Sequence, residues 1–298
     1  GWRFGEAGEL QAHALRAEGR NAYDGSFVDE SIYREQVVGT TLRLQAHERL
    51  VISAGAGQSQ DYSDNFGNGQ FKSTFDTQRD NYSLQGDIGL AEHHLLSVGA
   101  DYVDDHVDST TAYDEDARSV TGVFAQYQGQ AGAHDFQASV RNDDNEQFGA
   151  HTTGSVAWGH AFRDGLRLVA SYGTALKAPT FNELYFPGFS NANLEPEQSR
   201  SAEIGLRGAT GTGRWELHAF QTRIDDLIAY DAAIFAPGNV DQARIRGLEA
   251  SWAVDVADWH IDSSVTLLDP KNDSDGVNRG NVLPRRARQS LRVDLDRR

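Results

Sequence analysis

Neither cysteine nor methionine occurs anywhere in this chain. Without cysteine there is no disulfide framework and no thiolate metal site. Without methionine, and with glycine first, the chain is expected to be a processed or excised piece of a longer product, with no signal peptide in view. Proline is scarce, at 6 of 298 residues, which leaves long strands uninterrupted. Positive charge is in deficit: 27 Lys and Arg stand against 44 Asp and Glu, a formal net charge of -17. That balance disfavours a phosphate backbone as partner, so no nucleic acid is expected. Long hydrophobic runs are missing too. No segment approaches the roughly 18 apolar residues of a membrane helix. Helical spans are thereby excluded. A membrane barrel is not, since its strands carry only about ten alternating residues each. No Walker, dinucleotide-binding, G-x-S-x-G or H-x-x-x-H motif occurs.

What is present is alternation with period two. In Ala287 to Asp296, Ala287, Gln289, Leu291, Val293 and Leu295 share one face, and Arg286, Arg288, Ser290, Arg292 and Asp294 share the other. Leu166, Leu168, Ala170 and Tyr172 alternate in the same way with Arg167, Val169 and Ser171. Counting such runs gives about fourteen strands, near 9–18, 33–45, 49–60, 79–91, 93–105, 117–129, 133–145, 150–163, 165–178, 199–209, 213–230, 241–255, 258–269 and 285–298.

The connections alternate in length. Short ones fall at Ala46 to Glu48, Ala91-Glu92, Gln130 to Gly132, Arg163-Asp164, Thr210 to Thr212 and Val256-Ala257. Long ones cover roughly 19–32, 61–78, 106–116, 144–149, 179–198, 231–240 and 270–284. Tight turns at one rim and long loops at the other are the habit of membrane barrels. Trp158, Trp215, Trp252 and Trp259 all lie close to short turns, which predicts one aromatic girdle at a membrane interface. A wet lumen accounts for Arg, Asp, Glu and Gln in mid-strand, which a closed apolar core would not tolerate unpaired. The fold class predicted is all-β: an antiparallel up-and-down transmembrane barrel, partial, in one domain over 1–298.

Four motifs point further. Ser171 to Gly208 contains SYGT-x-x-KAP, then a loop closed by N-x-N-L-x-PE-x-S. Arg141 to Gly149 reads RNDDNEQFG, Asp225 to Asp231 reads DDLIAYD, and Asn239 to Glu249 contains ARIRGLE. From about Phe75 onward the chain thereby resembles the TonB-dependent outer-membrane receptors, and most of all the cobalamin (vitamin B12) receptors. That resemblance implies a Gram-negative outer-membrane barrel that takes up cobalamin or a similar scarce nutrient such as a siderophore. It also implies lipid around the wall, a plug inside it, and TonB as the partner that acts through the plug. The family barrel has about 22 strands. This chain is expected to be an incomplete barrel, without plug or last strands, and not an enzyme.

The resemblance also frames the candidate sites. The aromatic loop after Thr174 is the candidate ligand surface, through Phe181, Tyr185, Phe186 and Asn191; the competing reading is a loop that packs on itself. Cobalamin receptors bind calcium with aspartates of two neighbouring loops, so Asp24, Asp29, Asp61 and Asp64 are the candidate Ca2+ ligands, against a reading as solvated loop charge. Asp269 to Gly276 looks like a calcium loop but lacks the closing Glu, and reads as an Asx-rich turn. Rim acids Asp104, Asp105, Asp114, Glu115 and Asp116 leave a barrel hydrolase as the rival function.

Overall fold

The structure is a computed structural model describing residues 1–5, 7–25, 27–162, 165–231, 233–239, 242–275 and 278–297. Its strands are β1 (Trp2–Phe4), β2 (Gly8–Ala22), β3 (Glu30–His47), β4 (Leu50–Gly67), β5 (Gln70–Ala91), β6 (His94–Ser109), β7 (Ala117–Ala131), β8 (His134–Asn145), β9 (Gly149–Ala161), β10 (Arg167–Lys177), β11 (Glu197–Thr210), β12 (Gly213–Asp225), β13 (Ile228–Asp231), β14 (Ala236–Asn239), β15 (Gln242–Val256), β16 (Trp259–Asn272) and β17 (Gln289–Arg297). One short helix, α1 (Phe181–Tyr185), sits between β10 and β11. Fifteen strands form a single antiparallel sheet in chain order, and β13 with β14 makes a separate hairpin. Among the described residues β1 and β17 do not pair with each other, so the wall is open.

Across the apolar band, period two sorts the wall strands into an apolar outer face and a more polar inner face. On β6, Leu96, Val98, Ala100 and Tyr102 share the outer face, while Leu95, Ser97, Gly99 and Asp101 share the inner one. Register carries the outer row across the sheet: Tyr102 stands opposite Tyr82, Val156 opposite Tyr172, and Leu248 opposite Leu267. Ile204 is 53% and Leu291 69% exposed, so these apolar faces have no protein cover. Exposed apolar surface of this extent marks an interaction surface, and the predicted occupant is lipid. Trp158, Trp215, Trp252 and Trp259 all lie on this face near the short turns, with Trp215 directly opposite Trp252.

Among the described residues the buried apolar side chains are few, and most gather at one rim. Val107, Phe181, Leu184, Leu194, Leu227, Ala236, Ala243 and Leu283 all sit at the long-loop rim; only Ala253 is elsewhere. The core of this chain is therefore a loop core, roofing one end of the inner face.

Two-residue turns form the other rim: Glu48-Arg49, Glu92-His93, Gly132-Ala133, Gly211-Thr212 and Ala257-Asp258. The predicted turn at Arg163-Asp164 lies outside the described residues. Three expectations need correction. The segment 61–78 is not a loop: β4 and β5 continue through it to a tight turn at Asn68-Gly69, with φ of 51° and 72°. The strand expected over 213–230 breaks at Asp226, φ 58°, into β12 and β13. The long loop expected at 144–149 is a three-residue turn between β8 and β9.

Candidate functional site

The loop between β10 and β11 folds back over the inner face. Pro179 is buried and ends the extended run. Thr180 then caps α1: its Oγ1 accepts from the Glu183 N–H at 3.2 Å, and the Glu183 carboxylate accepts from the Thr180 N–H at 2.7 Å. This reciprocal pair satisfies two donors that a helix start leaves orphaned. Five residues are too few to be helical alone, and burial of Phe181 and Leu184 holds the turn in place.

Arg118, at the start of β7, anchors this turn to the wall. Its Nη1 donates to the Pro179 carbonyl at 2.9 Å, and its guanidinium lies 5.0 Å from the Phe181 ring and 5.8 Å from the Phe148 ring. Tyr113 donates its hydroxyl to Asn182 Oδ1 at 2.6 Å. Burial raises the Tyr113 pKa, favouring the neutral hydroxyl that makes this bond. Nearby, Glu146 accepts from both the backbone and the hydroxyl of Ser119, and those bonds hold its carboxyl below the usual range.

Beneath the loop is a chamber of about 850 Å³. Its wall is the inner face of β3 to β6, through Glu35, Ser59, Asp61 and Arg79, and its roof is Phe181, Asn182 and Phe186. Phe186 stacks on Phe75 with centroids 6.3 Å apart. Lower on the wall, Arg79 grips Asp105 with two bonds of 2.6 and 2.8 Å, and Asp105 is buried. The chamber thus offers an aromatic step, a neutralised ion pair and two acids, Glu35 and Asp61, standing directly opposite each other. Such a surface can hold a large amphiphile by stacking and hydrogen bonds.

The predicted ligand residues divide. Phe181 and Phe186 line the chamber. Tyr185 turns toward the β8–β9 turn, where its hydroxyl accepts from Gln147 Nε2. Asn191 builds the loop: its N–H donates to the Glu183 carbonyl, its Nδ2 to the Pro237 carbonyl at 3.1 Å, and its Oδ1 accepts from Asn193. Phe75, Arg79 and Arg118 carry no signal in the sequence, and Asp105 stands out there only as a rim acid. Phe75 and Arg79 share β5, Asp105 lies on β6 and Arg118 on β7, and only register brings the three strands together.

The four aspartates do not fit a calcium site. Asp61 and Asp64 are three apart on one strand, so they face opposite sides of the wall. Asp64 points outward and accepts from Tyr62 and Thr74, whereas Asp61 faces the chamber. Asp29 accepts the Asn68 N–H at 3.0 Å, and Asp24 lies apart in the exposed 23–25 stretch. Among the described residues no group of three or more His, Cys, Asp or Glu is placed to share an ion. The Asp269 segment is strand and then turn, with Asn272 Oδ1 accepting from the Ser274 N–H at 3.0 Å; Gly276 lies outside the described residues. Of the rim acids, Asp105 is bound to Arg79, while Asp114, Glu115 and Asp116 are exposed.

A model of the TonB dependent receptor-like, beta-barrel family matches residues 2–297. The chain belongs to that family. One relative of this TonB-dependent receptor barrel is the vitamin B12 transporter BtuB of Photobacterium profundum, 30% identical over 282 residues, which are 91% of this chain and 46% of that protein. Among solved structures, the ferric enterobactin receptor PfeA of Pseudomonas aeruginosa superposes with a TM-score of 0.82 at 15% identity, over 99% of this chain and 53% of that one. The siderophore receptor PirA of Acinetobacter baumannii gives 0.77 at 14% identity, over 91% and 51%. The copper transporter OprC gives 0.78 at 18%, over 93% and 52%. These likenesses establish the fold, and the chain spans about half the length of the relatives it matches.

Proposed function

We propose that this chain is part of the barrel of an outer-membrane, TonB-dependent transporter that takes up cobalamin. The observation that carries the ligand is the 30% identity to a vitamin B12 transporter across 91% of the chain. The chamber under α1 supports it, with Phe75 and Phe186 as a stacking surface for a broad, flat ligand. No bond is made or broken in this reading. Ligand binding at the loop rim shifts the population of a plug held inside the barrel, and TonB draws on that shift to release the ligand inward.

A second reading is uptake of an iron chelate or metal, favoured by structural neighbours that are siderophore and metal receptors. Titration calorimetry on the full-length parent in detergent separates the two. Cyanocobalamin is expected to bind stoichiometrically and ferric enterobactin not at all. Binding of the iron chelate without any corrinoid binding would overturn the cobalamin assignment.

A further inference from the structure

On the outer face, toward the long-loop rim, basic side chains stand in one cross-strand row. Arg200 on β11, Arg223 on β12, Arg244 on β15 and Lys271 on β16 are each the register partner of the next. Arg246 lies on the same face of β15, one step nearer the apolar band and opposite Gln221. Arg244 and Arg246 come from the ARIRGLE motif, and neither lines the ligand chamber. The chain carries a formal net charge of -17, so a patch of five cations runs against its composition. Like charges directly opposite each other also destabilise a sheet. The row therefore calls for a partner outside the chain.

The carboxylates nearby do not neutralise it. Asp225 takes Arg200 at 2.6 Å, Asp273 lies 3.5 Å from Arg244, and Asp269 lies 3.5 Å from Lys271. Arg244 Nε is buried without a hydrogen-bond partner. Arg246 engages only its Nε, which donates to Gln221 Oε1 at 2.7 Å. Among the described residues neither Arg223 nor Arg246 forms an ion pair, and both are exposed. The tryptophans fix the depth of these arginines. The outer face of β12 runs Trp215, Leu217, Ala219, Gln221, Arg223, and that of β15 runs Trp252, Ala250, Leu248, Arg246, Arg244. Nine residues, counting both ends, lead from Trp215 to Arg223 and from Arg244 to Trp252. A strand crosses a membrane with about 9–11 residues. With the tryptophans at one interface, the arginines stand at the other, at headgroup level.

We propose that Arg223 and Arg246, with Arg244 beside them, form a docking site for the anionic phosphate headgroup of a membrane lipid in the leaflet at the long-loop rim. A guanidinium fork binds phosphate through two parallel N–H···O bonds, and here two forks on neighbouring strands have no carboxylate competing for them. The acyl chains of the lipid continue down the uncovered apolar face, where Leu248 is 50% and Leu217 46% exposed. A phosphate shared by the facing strands offsets the like-charge contact between Arg223 and Arg244. This inference rests on the membrane reading of the outer face and is independent of which nutrient is carried.

The test uses the full-length parent protein in detergent micelles, with native mass spectrometry counting retained lipid. Phosphatidylglycerol should be retained at least about fivefold over phosphatidylcholine, as one arginine at a membrane surface favours an anionic lipid by roughly that factor. The double change Arg223→Gln with Arg246→Gln should abolish this preference while β-sheet circular dichroism is kept, since it removes facing charge and no bond of the sheet. Arg207→Gln with Arg214→Gln takes the same charge from the inner face and should keep the preference. Equal retention of the two lipids, a preference that survives the outer-face change, or displacement of phosphatidylglycerol by millimolar inorganic phosphate would overturn the proposal. Retention of neither lipid would overturn it together with the lipid-facing wall.

Discussion

Arg141 on β8 reaches Asp101 on β6 across an intervening strand. Its Nη1 and Nη2 donate to the two carboxylate oxygens at 2.8 and 2.6 Å, while its Nε donates to Asp143 on its own strand. The reach is possible because β7 presents Gly122 at that height, opposite both Asp101 and Asp143. A Cβ there would lie 2.0 Å from Arg141 Nη2. Gly122→Ala should therefore break the fork rather than merely crowd it. Side chains in this trio are 23 to 35% exposed, so solvent screening keeps the cost moderate, at about 1–2 kcal/mol. Urea unfolding in detergent checks this, and Asp101→Asn should make Gly122→Ala nearly neutral on top of it. A full additive loss in the double variant would disprove the mechanism.

The wall was legible in the sequence because one face per strand is apolar. That alternation is strong wherever the strand crosses the apolar band, as from Leu96 to Tyr102. It vanishes where β4 climbs past the band: Gln58, Gln60, Tyr62 and Asp64 face outward, and Ser59, Asp61 and Ser63 inward. Both faces are polar there, so the segment reads as loop although it is paired throughout. The β13–β14 hairpin, four residues a side and containing Pro237, and β1, three residues long, are too short for any period to show. The aromatic roof was legible as composition. Its attachment to Arg118 was not, because 61 residues separate Arg118 from Pro179.

Arg118 should control that roof. Alanine at this position removes the bond to the Pro179 carbonyl and both ring contacts, worth about 1–2 kcal/mol of local stability. Faster amide exchange across 179–186 is the expected readout, with unchanged exchange in β8 and β9. Lysine should not rescue it, since a compact ammonium cannot stack between two rings and still reach the carbonyl. Rescue by lysine would show that charge alone holds the loop.

Phe186 separates the ligand role from the structural one. It is half-buried and touches the wall through Phe75, whereas Leu184 is buried and holds the turn. Phe186→Ala should weaken cyanocobalamin binding at least tenfold with α1 intact by amide exchange. Leu184→Ala should instead loosen the loop, by about 2–4 kcal/mol for loss of a buried leucine. Equal ligand affinity in Phe186→Ala would remove the aromatic step from the site.

Calcium offers a sharp negative expectation. With Asp61 and Asp64 on opposite faces and Asp29 already bonded to Asn68, millimolar Ca2+ or its chelation should leave unfolding temperature and ligand affinity unchanged. A clear upward shift with Ca2+, lost in Asp61→Asn, would show that the loop at 23–29 moves to assemble a site the present arrangement lacks.

The outer face provides the test of lipid itself. Ile204 points outward in the middle of β11, opposite Ala219 and Ala170, and nothing in the chain covers it. In a bilayer, Arg at such a position costs about 2–4 kcal/mol near the midplane. In water the same change on an exposed strand is close to neutral, within about 0.5 kcal/mol. Ile204→Arg in the full-length protein should therefore depress folding into liposomes strongly. Gln137→Arg, on the polar inner face of β8, should be tolerated. Indifference to Ile204→Arg during liposome folding would mean that this row does not meet hydrocarbon. The apolar face would then need a protein partner instead.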